Sequence, residues 1–205
     1  MKIIAFVGSP RKGSTVDTLI TAVLKGARSK TKVEVEKVYL YKANIEYCNG
    51  CMICTPLKGC KDCPIKDDMV DIYQRMQEAD GFIFGTPNHV HTMSAAMTNL
   101  FARMQALLKM DVTKNEAGEI VNATARPLVA GKKAAIVVSQ GDFSPSASAL
   151  LLRALDSNVK DFHMKKVGEV FSSGNLRRAQ VKNCLLYTSP SPRDHLLHLV
   201  CRLLL

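Results

Sequence analysis

The stretch Lys2-Ile-Ile-Ala-Phe-Val7, followed by Gly8-Ser-Pro-Arg-Lys-Gly-Ser-Thr15, indicates the fold more strongly than any other part of the chain. The first part is an apolar run with no charge after Lys2, which is typical of a buried parallel strand. The second part is a loop of glycine and hydroxyl residues, and an amphipathic helix follows it. Such a unit forms an anion site, because backbone N–H groups and the positive end of the helix dipole face the ligand.

Side chains of this loop add further donors for an anion. Ser9, Ser14 and Thr15 supply hydroxyl groups, and Arg11 can pair with phosphate oxygens in bidentate fashion. The loop lacks the Gly-Lys-Ser/Thr ending of a P-loop and is not a Gly-x-Gly-x-x-Gly motif. We therefore expect a phosphate site of another kind, with an ordinary turn before a capped helix as the alternative.

Strand and helix patterns alternate along the rest of the chain, which predicts an α/β fold with a doubly wound, five-stranded parallel sheet between two helical layers. The predicted strands are Lys2–Val7, Val33–Tyr39 (an edge strand), Gly81–Gly85, Lys133–Ser139 and Met164–Phe171. The predicted helices are Ser14–Arg28, a helix from Asp67-Asp68 through Met76, Ser94–Leu108, Ser146–Val159 and a truncated one at Arg177–Asn183. Lys109–Gly131 is expected to be a polar, irregular insertion. The order 2-1-3-4-5 would place a ligand at the carboxyl ends of strands one and three.

Five of the seven cysteines lie between Cys48 and Cys63, in a loop over residues 47–66. Cys48, Cys51 and Cys54 share a two-residue spacing that lets successive thiolates turn toward one centre. Soft thiolates at this density bind iron–sulfur clusters or zinc, or form redox pairs. This cysteine loop follows strand two, so we expect it to meet the loops Ser9–Thr15 and Thr86–Met93 at one crevice.

The composition limits the class of protein. The 205 residues are 47% hydrophobic and 22% charged, with a formal net charge of +10. The basic residues are scattered rather than arranged in a stripe with interleaved aromatic residues, so we expect no nucleic-acid partner. No segment reaches the length of a membrane span and no signal-peptide pattern is present, which predicts a cytoplasmic protein.

The last residues differ in character from the rest. Cys184-Leu-Leu-Tyr-Thr-Ser-Pro-Ser-Pro-Arg-Asp194 resembles a translated sequencing adapter. We therefore expect a domain over residues 1–183 and a non-native read-through tail over 184–205. A genuine Pro/Ser linker followed by a short helix is the alternative.

Several motifs together resemble those of the NAD(P)H-dependent FMN reductase-like flavoproteins, and most closely the iron–sulfur flavoproteins. They are Gly8-Ser-Pro-Arg-Lys-Gly-Ser14, Cys48-x-x-Cys51-x-x-Cys54, Cys63-Pro-Ile-Lys-Asp-Asp-Met69, and Gly85-Thr-Pro87 with Ser94-Ala95. The resemblance spans Met1 to Asn183. It implies a flavodoxin-like fold that binds FMN, a [4Fe–4S] cluster on a compact four-cysteine motif, and a homo-oligomer.

The resemblance also assigns individual residues. The FMN phosphate falls to Ser9, Arg11, Ser14 and Thr15. The isoalloxazine ring would be lined by Pro87, Asn88, His89, Val90 and His91, with Gln140 and Gly141 on its other side. The cluster ligands would be Cys48, Cys51, Cys54 and, from its distance to Asp67-Asp68-Met69, Cys63. Cys60 has the more usual separation from Cys54 and is the alternative fourth ligand. The family usually has Tyr at the position of His89 and Gly near His91.

These assignments imply an FMN-dependent oxidoreductase that passes electrons between FMN and the cluster. NAD(P)H would be the electron donor, and a redox partner protein or a small molecule the acceptor. No catalytic side chain is assigned. One alternative is a cluster-free NAD(P)H-dependent FMN or quinone reductase whose cysteines are free thiols or a disulfide. Others are a flavodoxin-like electron carrier without enzymatic activity and a zinc-bound cysteine loop.

Overall fold

The computed structural model describes residues 1–30 and 32–175. The strands are β1 (Lys2–Val7), β2 (Glu34–Tyr39), β3 (Gly81–Pro87), β4 (Leu108–Lys114), β5 (Ile120–Pro127), β6 (Lys133–Ser139) and β7 (Lys165–Ser172). The helices are α1 (Thr15–Lys30), α2 (Met69–Glu78), α3 (Ala95–Met104) and α4 (Ala149–Asp161). None of the helices in these two ranges is long and apolar enough to cross a bilayer.

The predicted sheet is confirmed. Five strands form a sheet in the order β2-β1-β3-β6-β7, with every neighbouring pair parallel. In the order of the main-sheet strands along the chain this is 2-1-3-4-5, and β2 lies at the edge as its alternating pattern predicts. The carboxyl ends of β1 and β3 therefore lie side by side.

Successive side chains of β1 point to opposite faces of the sheet and enter two separate cores. Ile4 and Phe6 pack in the core that α2, α3 and α4 cover, whereas Ile3, Ala5 and Val7 pack against α1. The central strands are buried on both faces, as near-continuous apolar runs require. This arrangement gives the three-layer α/β/α architecture.

Residues 109–131 correct one prediction. Where we expected an irregular insertion, β4 and β5 pair as an antiparallel hairpin that is separate from the main sheet. Its turn is fixed by Asn115, whose carbonyl and side-chain oxygens accept hydrogen bonds from Gly118 and Glu119, and Gly118 has φ of +81°. The polar content concealed an alternation of apolar and polar residues on both sides of a glycine turn, which is the pattern of a hairpin.

Other differences concern helix ends. The helix predicted over Ser94–Leu108 ends at Met104, and β4 begins at Leu108 after a 3₁₀ turn. Asp68 occupies the N-cap position of α2 without a side-chain cap, because its carboxylate accepts the N–H of Asn44 at 2.7 Å instead. The helix predicted at 177–183, the domain end at 183 and the tail over 184–205 lie outside the described residues.

Candidate functional site

Loops from four parallel strands meet at the carboxyl edge of the sheet. Gly8, after β1, donates its N–H to the carbonyl of Gly85 in β3 at 2.7 Å. Leu40, after β2, donates to the carbonyl of Val7 at 3.1 Å, and Asn88, after β3, donates to that of Ser139 at 2.8 Å. The edge therefore joins the loop after β1, the cysteine loop, the ring loop (residues 87–94) and the loop after β6.

The loop after β1 presents donors at the N-terminus of α1. The side chains of Ser9 and Ser14 are buried, and the Ser14 hydroxyl accepts the N–H of Asp17 at 3.3 Å as a helix cap. Within the described residues, the N–H groups of Thr15 and Val16 have no acceptor. Arg11 is exposed, and its guanidinium has no partner in the same part of the chain. These free donors fit a phosphate group.

Gly8 must be glycine for this loop to leave the sheet as it does. A Cβ at this position would lie 2.9 Å from the Ser94 hydroxyl oxygen and 3.0 Å from the Gly85 carbonyl oxygen. The second contact is with backbone, so it cannot be relieved by turning a side chain. The close approach brings the loop over residues 8–15, here called the phosphate loop after its predicted ligand, against the start of α3, which the ring loop precedes.

Asp17 is a buried carboxylate that the sequence analysis did not single out, and it binds the backbone of the phosphate loop. Asp17 accepts the N–H of Gly13 at 2.8 Å, the ammonium of Lys37 at 2.7 Å and the hydroxyl of Tyr39 at 3.2 Å. Burial by itself raises the pKa of Asp17, but these partners lower it overall and keep the carboxylate charged. Lys37 therefore neutralises a negative charge that would otherwise lie close to a bound phosphate.

If this loop binds the FMN phosphate as the sequence predicts, Lys37→Met is expected to weaken FMN binding, because it removes the cation that pairs with the Asp17 carboxylate beside that site. A loss of about 1 kcal/mol, or roughly fivefold in Kd, is expected from one such contact. Flavin fluorescence titration of the flavin-free protein measures it. Lys25→Met is the matched control, since Lys25 is exposed on α1 and loses the same charge; equal weakening by both variants would contradict the role given to Lys37.

The ring loop contains a strained turn. His89 and Thr92 exchange both backbone hydrogen bonds, at 2.9 Å and 3.1 Å, and the two residues between them have positive φ: +50° at Val90 and +65° at His91. This conformation suits Asn-Gly, and a β-branched residue there is strained. Strain of about 1–3 kcal/mol per residue persists where a ligand loop needs a defined shape. Val90 is 90% exposed at the tip of the turn.

A polar network supports this turn from beneath. The Asn88 amide nitrogen donates to Gln140 Oε1 at 3.1 Å and to the Ala147 carbonyl at 3.0 Å, and His91 Nδ1 lies 2.7 Å from the same carbonyl. The Gln140 amide nitrogen donates to the carbonyls of Asp142 and Ser144. Gln140 therefore ties the loop after β6 to the ring loop, and the neighbouring Gly141 remains the candidate for direct contact with a ring.

The two ends of the cysteine loop are joined at a narrow neck. Asp67 accepts the N–H of Glu46 at 2.8 Å and that of Met69 at 3.0 Å. Asp68 donates its N–H to the Asn44 carbonyl at 3.1 Å. The residues between Glu46 and Asp67 therefore form a closed loop that α3 supports.

Arg103 of α3 lies beneath this neck and is 2% exposed. Its guanidinium donates to Asp67 Oδ2 at 2.5 Å and Oδ1 at 3.0 Å, and to the Glu46 carbonyl at 2.7 Å. Burial by itself lowers the pKa of Arg103, but the Asp67 carboxylate raises it overall; the pKa of Asp67 is lowered in return. The sequence places Arg103 in a helix but does not indicate this buried ion pair.

The thiols differ in what surrounds them. The pKa of the Cys54 thiol is raised by burial and then by the charges of Cys63, Cys48 and Cys51. Cys63 Sγ accepts an N–H of Arg103 at 3.7 Å. Cys60 Sγ instead faces the Met110 carbonyl of β4 at 3.8 Å, and Lys109 donates to the Cys60 carbonyl. Of the two candidates for the fourth ligand, Cys63 therefore contacts Arg103, whereas Cys60 contacts the hairpin.

The cysteine loop carries the type of donor that an iron–sulfur cluster takes. Within residues 1–30 and 32–175, no three His, Cys, Asp or Glu side chains are placed to hold one metal ion. A [4Fe–4S] cluster takes four thiolates, one to each iron. The loop, whose neck is fixed, carries five thiols, and four of them are the predicted ligands.

A groove of about 630 Å³ connects the cysteine loop with the ring loop. Its walls include Tyr47 and Cys48 on one side and His89, Thr92 and Met93 on the other, with the first turns of α3 between them. The two loops that the sequence singles out for redox chemistry therefore line one open space.

The family described as NADPH-dependent FMN reductase matches residues 1–177 of the chain. The chain belongs to this family. Membership agrees with the phosphate loop, the ring loop and the sheet order described above. It does not by itself assign a role to the cysteine loop.

Two relatives are described as iron–sulfur flavoproteins. The chain is 36% identical over 103 residues to an iron–sulfur flavoprotein of Archaeoglobus fulgidus, an alignment that covers 50% of this chain and 48% of the relative. It is 33% identical over 122 residues to an iron–sulfur flavoprotein of Methanosarcina thermophila, covering 58% and 60%. The matches thus span about half the length of these relatives.

Solved structures show the same fold. An NAD(P)H:quinone oxidoreductase from Methanothermobacter marburgensis superimposes with a TM-score of 0.65 at 15% identity, covering 99% of this chain and 95% of the other. An FMN-dependent NADH-azoreductase from Bacillus anthracis, solved in complex with FMN, gives 0.61 at 11% identity, covering 90% and 93%. At this identity the likeness concerns the fold alone.

Proposed function

We propose that this protein is an FMN-dependent oxidoreductase that passes electrons between FMN and a [4Fe–4S] cluster, with NAD(P)H as the electron donor. One observation carries the proposal: Cys48 of the cysteine loop and His89 of the ring loop line the same groove. A flavin held by the ring loop and a cluster held by the cysteine loop would therefore face each other across a short distance. The family assignment supports the flavin, and the two iron–sulfur flavoprotein relatives support the cluster.

The flavin half of the proposal rests on the loops at the carboxyl edge. Ser9, Ser14 and Thr15 would bind the phosphate together with Arg11, and residues 87–91 would lie along the ring. FMN, when bound, supplies both hydride and one-electron chemistry. The protein's own contribution is to hold the phosphate at the α1 terminus and to fix the strained turn at Val90 and His91.

Arg11→Ala is expected to weaken FMN binding, since it removes charge-assisted hydrogen bonds to the phosphate. Such bonds contribute about 1.5–3 kcal/mol, which corresponds to roughly a ten- to hundredfold increase in Kd. Isothermal titration of flavin-free protein with FMN checks this. Arg28→Ala removes the same charge from an exposed position near the other end of α1 and should leave the affinity nearly unchanged; unaltered affinity in Arg11→Ala would refute the assignment.

The cluster half rests on Cys48, Cys51, Cys54 and Cys63. The contact of Cys63 with Arg103 and that of Cys60 with the hairpin favour these four over a set that includes Cys60. A cluster at this position would exchange single electrons with the flavin. The acceptor is a redox partner protein or a small molecule, and the protein acts as a homo-oligomer in the cytoplasm.

Anaerobic purification followed by a visible spectrum, with iron and acid-labile sulfide assays, tests the function. We expect flavin bands over a broad iron–sulfur absorbance, with about four irons per chain. Oxidation of NADH and NADPH, followed at steady state, then separates an enzyme from a carrier. Flavin bands alone, with no iron or sulfide after reconstitution, would leave a simple flavin reductase, and zinc in place of iron would make the cysteine loop structural.

A further inference from the structure

We infer that Arg103 is a positioning residue for the cysteine site: its guanidinium holds the Cys63 sulfur in place and raises the reduction potential of a cluster bound there. The inference rests on the proposed function, because it concerns the same four thiols. It adds a residue from outside the cysteine motif, on a helix that carries none of the predicted ligands.

The burial of Arg103 calls for an explanation beyond stability. A fully buried ion pair loses the hydration of both charges, and an apolar pair of the same size is often as stable or more so. Asp67 and Arg103 have side-chain exposures of 0% and 1%. Within the described residues, Arg103 Nε is also buried without a partner. Because burying the Arg103 cation costs hydration free energy, the contacts of its guanidinium point to its role.

The geometry of the guanidinium directs it at one sulfur. Its two terminal nitrogens bind the two oxygens of Asp67, which fixes the plane and the orientation of the group. Nη1 has its second partner in the Glu46 carbonyl, and Nη2 has its second partner in Cys63 Sγ at 3.7 Å. The Tyr73 hydroxyl donates to the backbone carbonyl of Arg103 at 2.6 Å and further fixes this turn of α3. Lysine could not reproduce this fork, because its ammonium is a single point charge.

Charge and hydrogen bonds at the sulfur then act on a cluster. The potential of an iron–sulfur cluster depends on hydrogen bonds to its sulfurs, on net charge and on exposure to solvent. Reduction adds one negative charge, so a buried cation that donates to a ligand sulfur favours the reduced form. Asp67 lies on the other side of the same guanidinium and opposes this effect, so the two residues should act on the potential with opposite signs.

The test uses three variants of the full chain: Arg103→Gln, Arg103→Lys and Asp67→Asn. All three disturb the same ion pair, but only the two at Arg103 change the donor to Cys63. Each reconstituted protein is assayed for iron and sulfide, checked for folding by thermal unfolding, and titrated with dithionite at controlled potential while the cluster is followed by electron paramagnetic resonance.

We expect a lower midpoint potential in Arg103→Gln, a smaller shift in the same direction in Arg103→Lys, and an unchanged or higher potential in Asp67→Asn. Shifts of the same sign and size at both positions would show a merely structural role and overturn the inference. If Arg103→Gln does not fold, Arg103→Lys decides, and an unchanged potential in that variant refutes the inference. A wild-type protein that takes up no iron would instead refute the proposed function.

Discussion

Cys63→Ser is expected to abolish assembly of an intact [4Fe–4S] cluster while the flavin stays bound. Cys63 is the predicted fourth ligand beside Cys48, Cys51 and Cys54, and its sulfur receives a hydrogen bond from a buried guanidinium. A serine hydroxyl is a harder and less acidic ligand than a thiol, so it does not replace a thiolate on iron. Iron and acid-labile sulfide, measured after anaerobic reconstitution, should fall to less than half of the wild-type content.

Cys60→Ser is the matched control, from the same loop and with the same change of atom. Its sulfur faces the Met110 carbonyl of the hairpin rather than the other thiols. We therefore expect this variant to keep the full iron and sulfide content. A cluster that survives in Cys63→Ser and disappears in Cys60→Ser would reverse the choice of fourth ligand.

Asp67→Ala is expected to lower the free energy of unfolding by about 3–5 kcal/mol, as the loss of one partner of a buried ion pair does. It leaves the Arg103 cation buried without its carboxylate and removes the acceptor of the Glu46 and Met69 N–H groups. Since a typical domain is stable by only about 5–15 kcal/mol, urea denaturation should show a much lower midpoint.

Asp111→Ala supplies the comparison for an exposed pair. Asp111 and Arg126 pair across the hairpin with side-chain exposures of 66% and 65%. Exposed pairs contribute little, so a change within about 0.5 kcal/mol is expected. Equal destabilisation by Asp67→Ala and Asp111→Ala would contradict the role given to the buried pair.

The contribution of the Asp67 carboxylate to the free energy of unfolding depends on pH. Burial alone would raise the pKa of Asp67, but Arg103 and the two N–H donors lower it overall. Because the folded pKa lies below the unfolded value of about 3.9, its contribution is present above that pH and is lost as the pH falls through the folded value. Between about pH 5 and pH 3, Asp67→Ala should therefore lose less stability than the wild type.

The strands of the main sheet and the loop from β1 into α1 could be predicted from the sequence because their signals are local. An apolar run such as Lys2–Val7 is typical of a buried strand, and the glycine and hydroxyl residues after it indicate a turn into a helix. The hairpin over residues 108–127 was missed because its local signal is weak. Its strands are exposed and polar, so only the alternation and the turn at Gly118 indicate it.

The ring loop shows the limit of this kind of reading. The sequence indicates an unusual position, because His91 stands near the place at which a glycine is usual in the family. The structure gives His91 a φ of +65°. The assignment of residues 87–91 to a flavin ring stays a prediction, as does the set of cluster ligands. What the structure adds is the network through Asn88 and Gln140 that holds the turn in its strained shape.

The sequence alone thus determined the strands of the main sheet, the loop from β1 into α1 and the presence of a thiol-rich loop, because each follows from the period or the residue types of a short segment. Only the tertiary structure decided that Cys63 contacts Arg103 and that Cys60 contacts the hairpin. The Arg103–Asp67 pair joins residues 36 positions apart, and the Cys60–Met110 contact joins residues 50 apart. Contacts at such separations depend on how helices and loops pack on the sheet, and no local pattern of residues encodes them.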